Sequence, residues 1–161
     1  FPGAKLLELS TKSYNPLGVA LSAFNLTLDG CPVECIYHGS KVFEDGSCFE
    51  FLKNYSPRDA KHYVRENGKG NLKCYRFNGV EIPLETRTLF YDFIYIKALM
   101  QHPELASELS RYDIFTDIEF NEKKGLNCQA RACAIFSYIF YHYSVLIDIL
   151  RVRYGMMGNK R

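Results

Sequence analysis

The sequence predicts an α+β fold, a helix-rich single domain with a small β-sheet or hairpin, and three patterns carry that prediction. Asn78-Gly79 stands between two apolar stretches, which is the strongest short signal for a β-hairpin. Ser56-Pro57 combines an N-cap residue with proline at the first helical position, so a helix begins there. Apolar residues recur at helical spacing over residues 135–150 and predict a long final helix.

The first third of the chain is predicted to hold short strands and one helix. Residues 4–9 and 17–28 contain apolar runs bounded by Asn15-Pro16 and Asp29-Gly30, so they are interpreted as short strands or extended segments. A helix is expected from about Pro32, because proline is favoured in a first turn, and it is expected to end near Asp45-Gly46.

The remaining elements follow from equally local signals. The helix that begins at Pro57 is expected to end at Asn67-Gly68, and the hairpin strands are residues 74–77 and 80–82. Helical spacing predicts a helix over residues 89–98, a short one follows from Pro103 to about residue 109, and Asn127 is the expected N-cap of the last helix.

Length and composition indicate one folded unit. The chain has 161 residues, close to the prior of about 150 residues for a domain, so we expect a single domain over residues 1–161 with a basic C-terminal tail from about residue 151. Hydrophobic residues make up 47% and charged residues 24%, which excludes intrinsic disorder. The net charge of +2 is too small to predict a nucleic-acid partner by itself.

The cysteines favour reduced thiols in a cytoplasmic protein. None of the six belongs to a CxxC motif or to a zinc-ligand pattern with a histidine pair, so no metal is expected. The longest apolar stretch, residues 132–141, is too short to span a bilayer, so no membrane partner is expected either.

The segment of residues 33–41 carries the strongest chemical signal. On a helix, Glu34, His38 and Lys41 lie at positions i, i+4 and i+7 of one face, with Tyr37 beside them. A carboxylate, an imidazole and an ammonium then converge, and the helix dipole favours ionised Glu34 in the first turn. The alternative is a solvated helix face, and spacing alone leaves both interpretations open.

Three weaker candidates lie elsewhere in the chain. Ser22, Phe24 and Asn25 can present an aromatic ring and an amide to a base, although an ordinary strand explains them equally well. Arg58 and Lys61 lie in the first turn of a helix, where amide groups also favour anions such as a diphosphate, but exposed cations are common there. A polar cluster precedes the last helix and serves either a site or a helix cap; its members are Asp117, Glu119, Asn121, Asn127 and Gln129.

These segments together resemble a known family. Residues 33–41 read V-E-C-I-Y-H-G-S-K and resemble the signature V-E-H-x-[FY]-Q-x-x-K of the NADAR/YbiA-like domain. Residues 21–24 resemble the L-S-N-F that precedes it, and residues 57–61 resemble its P-x-x-A-K step. Residues 101–105 and 117–119 match the Q-x-x-x-L…L-x-E segment. Residues 7–13, 21–25, 39–43 and 115–121 are similar to the NADAR branch that is paired with DarT toxins.

The resemblance implies a YbiA-like α+β fold that binds ADP-ribose and cleaves N-glycosidic bonds without a cofactor. DarT toxins attach ADP-ribose to a base in single-stranded DNA, and the NADAR partners are similar to hydrolases that remove it from guanine. The resemblance places the essential glutamate at Glu34 and the signature lysine at Lys41. The expected substrate-binding residues are Ser22, Phe24, Asn25, Tyr37, His38, Arg58, Lys61, Glu119 and Asn127.

The chain also departs from the family pattern. YbiA enzymes carry D-x-x-W-G, whereas this chain has Lys124 and Asn127 at the corresponding positions and contains no tryptophan. The asparagine of L-S-N-F is Ala23 here. These departures argue against the riboflavin-intermediate glycosidase activity and agree with the DarT-associated branch.

Two other functions stay open. One is a non-catalytic ADP-ribose reader, or an antitoxin that simply occupies a DarT-type toxin. The other is an N-glycosidase that acts on a small nucleotide-sugar metabolite.

Overall fold

The described part of the chain folds as an α+β unit of short strands and six helices. The computed structural model describes the backbone of residues 2–117 and 129–154, and the side chains of these residues up to Tyr143 except residues 86 and 87. The strands are β1 (Leu6–Glu8), β2 (Thr27–Leu28), β3 (Cys31–Pro32), β4 (Lys41–Phe43), β5 (Leu72–Phe77), β6 (Val80–Pro83) and β7 (Ile114–Thr116). The helices are α1 (Pro16–Ala20), α2 (Val33–Gly39), α3 (Pro57–Asn67), α4 (Arg87–Gln101), α5 (Pro103–Leu109) and α6 (Gln129–Tyr154), with 3-10 turns at Glu50–Asn54 and Leu84–Thr86.

The described strands form three small sheets. β4, β5 and β6 make an antiparallel sheet in that order, β2 and β3 form a short antiparallel pair, and β1 runs parallel to β7. The β5–β6 turn is Asn78-Gly79, with φ of +50° and +79°. Both angles suit the tight turn that joins right-twisted strands, so the hairpin prediction is confirmed.

Helix α4 lies at the centre of the core. Its buried apolar side chains are Phe90, Tyr91, Ile94, Tyr95, Ala98 and Leu99. They pack with apolar side chains from β1, α2, α3 and α6 in one continuous cluster. Aromatic rings from neighbouring elements contribute to this packing, since Tyr37 of α2 and Tyr75 of β5 both contact Phe90.

The prediction of an extended segment over residues 17–28 is wrong for its first part, which is helix α1. The Asn15 side chain accepts a hydrogen bond from the amide of Leu17 at 3.0 Å, and Pro16 occupies the first helical position. Asparagine followed by proline is therefore a helix start here instead of a turn between strands. Only Thr27 and Leu28 at the other end form a strand.

Helix α2 ends earlier than the sequence predicts. It stops at Gly39, and the residues that were expected to continue it form β4, in which Val42 is buried and pairs with Cys74. An ideal Cβ on Gly39 would lie 3.0 Å from the carbonyl oxygen of Phe49, so the end of the helix packs tightly against neighbouring backbone. Residues 41–43 gain a β5 partner that local helix signals do not reveal.

The other helix predictions are confirmed. Ser56 accepts a hydrogen bond from the amide of Asp59 at 3.2 Å and caps α3, which ends at Asn67 as expected. Helices α4 and α5 cover the predicted ranges. The backbone of α6 is helical from Gln129 to Tyr154, whereas the predicted N-cap Asn127 and residues 155–161 of the predicted tail lie outside the described residues.

Among the described side chains of α6, which end at Tyr143, the predicted apolar face is buried only near the start of the helix. Phe136 belongs to the core, but the side chains at the six successive positions 138–143 are all exposed. No described helix is both long and apolar enough to cross a membrane.

A clash at Gly18 makes one strong stability prediction. A Cβ at this position would overlap the carbonyl oxygen of Glu8 and the hydroxyl of Ser13, so Gly18→Ala forces α1 away from β1. We expect a loss in the free energy of unfolding at the upper end of the about 1–3 kcal/mol typical of overpacking, measured by urea denaturation.

Gly79→Ala is the matched control for this prediction. Gly79 has a positive φ but open space around its Cβ position, so that variant reports backbone strain of about 1–2 kcal/mol without any clash. If Gly18→Ala proves less destabilising than Gly79→Ala, the close approach of α1 to β1 is not what requires glycine at position 18.

Candidate functional site

A carboxylate, an imidazole and an ammonium form one hydrogen-bonded chain that runs along α2 to the start of β4. The Nε2 atom of His38 lies 3.0 Å from Oε1 of Glu34, one helical turn away. The Nζ atom of Lys41 lies 3.0 Å from Nδ1 of His38. Because α2 ends at Gly39, Lys41 reaches this position from the first residue of β4 and not from a third helical turn. The predicted convergence of Glu34, His38 and Lys41 is therefore present, with a different backbone beneath Lys41.

Glu34 and His38 of this hydrogen-bonded chain are shielded from water, and the groups around them determine their protonation states. The side chains of Glu34 and His38 are only 13% and 9% exposed. Burial raises the pKa of Glu34, but the hydrogen bond and charge of His38, with Lys61 and Lys41, outweigh it and hold the pKa below its usual value. Burial lowers the pKa of His38, and Lys41 adds to that effect against the hydrogen bond with Glu34. At neutral pH the site therefore holds an ionised carboxylate next to a neutral imidazole.

Tyr37 fixes the other side of Lys41. The Lys41 Nζ atom lies 4.7 Å from the centroid of the Tyr37 ring, within cation–π range. The hydroxyl of Tyr37 is hydrogen-bonded to that of Tyr75 on β5 at 2.9 Å. The rings of Phe90 and Tyr91 on α4 pack against the same side chain, at centroid distances of 6.4 Å and 5.4 Å. Tyr37 is thus held between β5 and α4 of the core and the side chain of Lys41.

A cleft of about 340 Å³ opens directly beside this chain. Its walls combine cationic and apolar side chains, namely His38, Lys41, Phe43, Lys61, Val64, Arg65, Gly68 and Leu72. Lys61 and Arg65 are one turn apart on α3. Together with the buried Val64 they lie on the face of this helix that borders the cleft. The volume falls in the range of small-molecule sites, and the three cations favour an anionic ligand.

The loop of residues 22–25 lies against the start of α2. The amide of Glu34 donates a hydrogen bond to the carbonyl of Ala23 at 3.0 Å. Ser22 is buried, and its hydroxyl accepts from the amide of Phe24. Phe24 is 37% exposed, and the side-chain amide of Asn25 donates to the carbonyl of Val19 at 2.8 Å. Ser22 and Asn25 therefore stabilise the loop, and Phe24 is its exposed aromatic residue.

The remaining predicted site residues are placed differently. Arg58 is exposed one turn before Lys61 on α3 and is not part of the cleft wall, whereas Lys61 is. Glu119 and Asn127 lie outside the described residues. Among the polar residues of the same cluster, Gln129 accepts from the amide of Ala23 at 2.6 Å and donates to the carbonyl of Leu9 at 3.0 Å.

Sequence reasoning missed Arg65, Tyr75 and the apolar wall of the cleft. Arg65 follows Lys61 by four residues, so helical spacing was a signal that could have found it. Tyr75 and Leu72 come from β5, whose pairing with β4 brings them to the site from more than 30 positions away along the chain. No local sequence pattern predicts the contact of β5 with the site.

The described residues include no metal centre. No group of three histidine, cysteine, aspartate or glutamate side chains among them is arranged to hold a metal ion. In the same part of the chain Cys31, Cys35, Cys48, Cys74 and Cys133 are free thiols. Cys31 and Cys35 donate to the backbone carbonyls of Lys53 and Tyr55, so they join β3 and α2 to the 3-10 turn that precedes α3 and to the residue after it.

Fold and site together define an α+β domain that carries a carboxylate–imidazole–ammonium chain beside a cationic cleft. The sequence model of the DarT1-associated NADAR antitoxins matches residues 1–153, and the chain belongs to this family. The resemblance seen in the sequence is thereby confirmed over nearly its whole length. A comparison with curated proteins found no match.

Proposed function

We propose that this protein is an antitoxin against a DarT-type ADP-ribosyltransferase and that it acts as an ADP-ribosyl N-glycosidase. The substrate is ADP-ribosylated guanine in single-stranded DNA, and the products are ADP-ribose and the restored base. Membership of the DarT1-associated NADAR antitoxins supports the antitoxin role. The observation that supports the hydrolase activity is the hydrogen-bonded chain of Glu34, His38 and Lys41 at the wall of the cationic cleft.

The ionised Glu34 suits the transition state of this reaction. Breaking the bond between the anomeric carbon and a guanine nitrogen builds positive charge on the sugar. A carboxylate whose pKa is held low can stabilise that charge and accept a proton from the attacking water. General base catalysis of this kind contributes typically about 10²–10⁴-fold in rate.

Lys41 has two proposed roles. As an ammonium it orients Glu34 and the ribose hydroxyls. As a neutral amine it attacks the anomeric carbon of a ring-opened sugar, guanine leaves, and water hydrolyses the resulting Schiff base to release ADP-ribose. The hydrogen bond to His38 at 3.0 Å is compatible with either role.

The two ends of the substrate find complementary surfaces. Lys61 and Arg65 in the cleft supply positive charge for the diphosphate, and Arg58 extends this cationic face along α3. Phe24 is the exposed aromatic residue beside the start of α2 and stacks on the modified base. Tyr37 takes part through the face of its ring, over which the ammonium of Lys41 lies. Stacking of a base on an aromatic ring contributes about 1–3 kcal/mol and tolerates single strands.

The test compares three substrates with the wild-type protein. These are a single-stranded oligonucleotide that is ADP-ribosylated on guanine, the same oligonucleotide annealed to its complement, and an ADP-ribosylated guanine mononucleotide. We expect release of free ADP-ribose from the single strand, detected by mass spectrometry. Reduction with cyanoborohydride during turnover separates the two roles of Lys41, because a Schiff base leaves a covalent adduct on Lys41 and an orienting ammonium leaves none.

Each alternative has its own outcome. Tight binding of the oligonucleotide without release of ADP-ribose contradicts the hydrolase and supports a non-catalytic reader. Turnover of the mononucleotide alone contradicts a DNA substrate and supports a glycosidase of small nucleotide sugars.

A further inference from the structure

We infer that His38 is a positioning residue that holds Lys41 in the site through its unprotonated Nδ1, so that protonation of this imidazole releases Lys41 and switches the site off. The effect of this release on catalysis rests on the proposed function, whereas the hydrogen-bonded arrangement of Glu34, His38 and Lys41 does not.

The two neighbours of His38 assign its tautomer. The ammonium of Lys41 has only donors, so Nδ1 must accept the hydrogen bond at 3.0 Å. The carboxylate of Glu34 has only acceptors, so the ring proton sits on Nε2 and is donated to Oε1 at 3.0 Å. One tautomer of the neutral imidazole satisfies both contacts, and the opposite tautomer satisfies neither.

The same geometry makes the arrangement sensitive to acid. A proton on Nδ1 turns the acceptor into a donor and places two cations about 3 Å apart, where like charges repel strongly in a site shielded from water. His38 stays where it is because Glu34 accepts from the imidazolium even better than from the imidazole. Lys41 is the group that moves, toward the open cleft.

The charged groups around the imidazole agree with a neutral resting state. Lys61 and Arg65 of α3 share the cleft with Lys41, and Lys61 and Lys41 both lower the pKa of His38. The ring of Tyr37 packs edge-on against the imidazole, and the phenols of Tyr75 on β5 and Tyr91 on α4 pack in turn against Tyr37. The 3-10 turn and the residue after it meet β3 and α2 through backbone carbonyls, which accept from Cys31 and Cys35. Glu34 is thus the one carboxylate among these described neighbours.

Two substitutions separate positioning from bulk. In His38→Gln the amide oxygen still accepts from Lys41 and the amide nitrogen still donates to Glu34, but the side chain cannot take up a proton. His38→Leu fills the space and makes neither bond. We expect His38→Gln to retain the larger part of the wild-type rate at pH 7.5 and His38→Leu to lose on the order of 10²-fold, the effect of a misplaced catalytic group.

The pH profile of ADP-ribose release is the decisive kinetic readout. Because burial lowers the pKa of His38 from its reference value of about 6.5, the wild-type rate should fall on acidification below that pH. In His38→Gln this acidic limb moves to lower pH, where protonation of Glu34 takes over. An unchanged limb in His38→Gln, or equal rates for the Gln and Leu variants, overturns the inference.

A measurement without substrate distinguishes failure of this inference from failure of the proposed function. The ¹⁵N shifts of the His38 ring in the free protein, identified by their loss in His38→Gln, should indicate a protonated Nε2 and an unprotonated Nδ1 at pH 7.5. The opposite tautomer contradicts the inference whether or not the protein turns over DNA. If the expected tautomer is found while the wild type releases no ADP-ribose, the proposed hydrolase is wrong and the positioning of Lys41 stands.

Discussion

The Glu34→Gln variant is expected to release ADP-ribose on the order of 10²–10⁴-fold more slowly than the wild type while it still binds the modified oligonucleotide. Glutamine keeps the size of the side chain and accepts the same hydrogen bond from Nε2 of His38. It carries no negative charge, so it neither stabilises a cationic sugar nor takes a proton from water. The measurement is single-turnover release of ADP-ribose, with binding followed separately by fluorescence anisotropy.

Glu104→Gln is the matched control for this loss. Glu104 is an exposed carboxylate in the first turn of α5, outside the cleft, and its change to glutamine should leave the rate unaltered. If Glu34→Gln retains the wild-type rate, the low pKa of Glu34 has no catalytic use and the carboxylate serves only to anchor His38.

The largest effect on stability is expected for Arg131→Met. Arg131 on α6 donates to Oδ2 of Asp92 at 2.7 Å and to the carbonyl of Thr88 at 3.2 Å. The Asp92 side chain on α4 is only 6% exposed, and burial raises its pKa even against the pull of Arg131. Loss of Arg131 leaves the buried carboxylate without this partner. Because the Arg131 side chain is itself 39% exposed, we expect a cost near the lower end of the about 3–5 kcal/mol for breaking a fully buried ion pair. That is a large part of the roughly 5–15 kcal/mol that stabilises a domain.

A double-mutant cycle tests the cause of this loss. Asp92→Asn combined with Arg131→Met should recover much of the free energy of unfolding, because the buried charge is gone. A carboxyl whose folded pKa is raised binds its proton more tightly when folded, so the deficit of Arg131→Met should also shrink as the pH falls. Strictly additive single effects, or a deficit that does not change with pH, would show that Arg131 acts through packing alone.

Local signals in the sequence predicted the elements whose residues determine them. Ser56-Pro57 fixes the start of α3 through a cap, and Asn78-Gly79 fixes the hairpin through two positive φ angles. Asn15-Pro16 led to the wrong prediction of an extended segment, because the same dipeptide is found in turns and at helix starts. The contacts that decide between the two are made with Glu8 and Leu17. The end of α2 was predicted too late in the chain, because β4 forms by pairing with β5, which lies about 30 residues further along.

The site was predictable to the same extent. Glu34 and His38 are one helical turn apart, so their contact follows from spacing alone. Lys41 was expected on the same face for a reason that the structure replaces, since a strand and the ring of Tyr37 direct it instead of a third turn. The cleft wall could not be predicted, because it forms where α3 and β5 meet the end of α2.

The parallel pairing of β1 with β7 sets a time on folding. Lys5 and Asp113, which are hydrogen-bonded beside this pair, are 108 residues apart in the chain. A ribosome that adds about 5–20 residues per second needs roughly 5–20 s to deliver β7 after β1 has emerged. During that interval β1 has no strand to pair with, and the loop that supports Glu34 lacks Gln129, which ties it to Leu9. The support of Glu34 by this loop therefore becomes complete only after residues 114–129 have been synthesised.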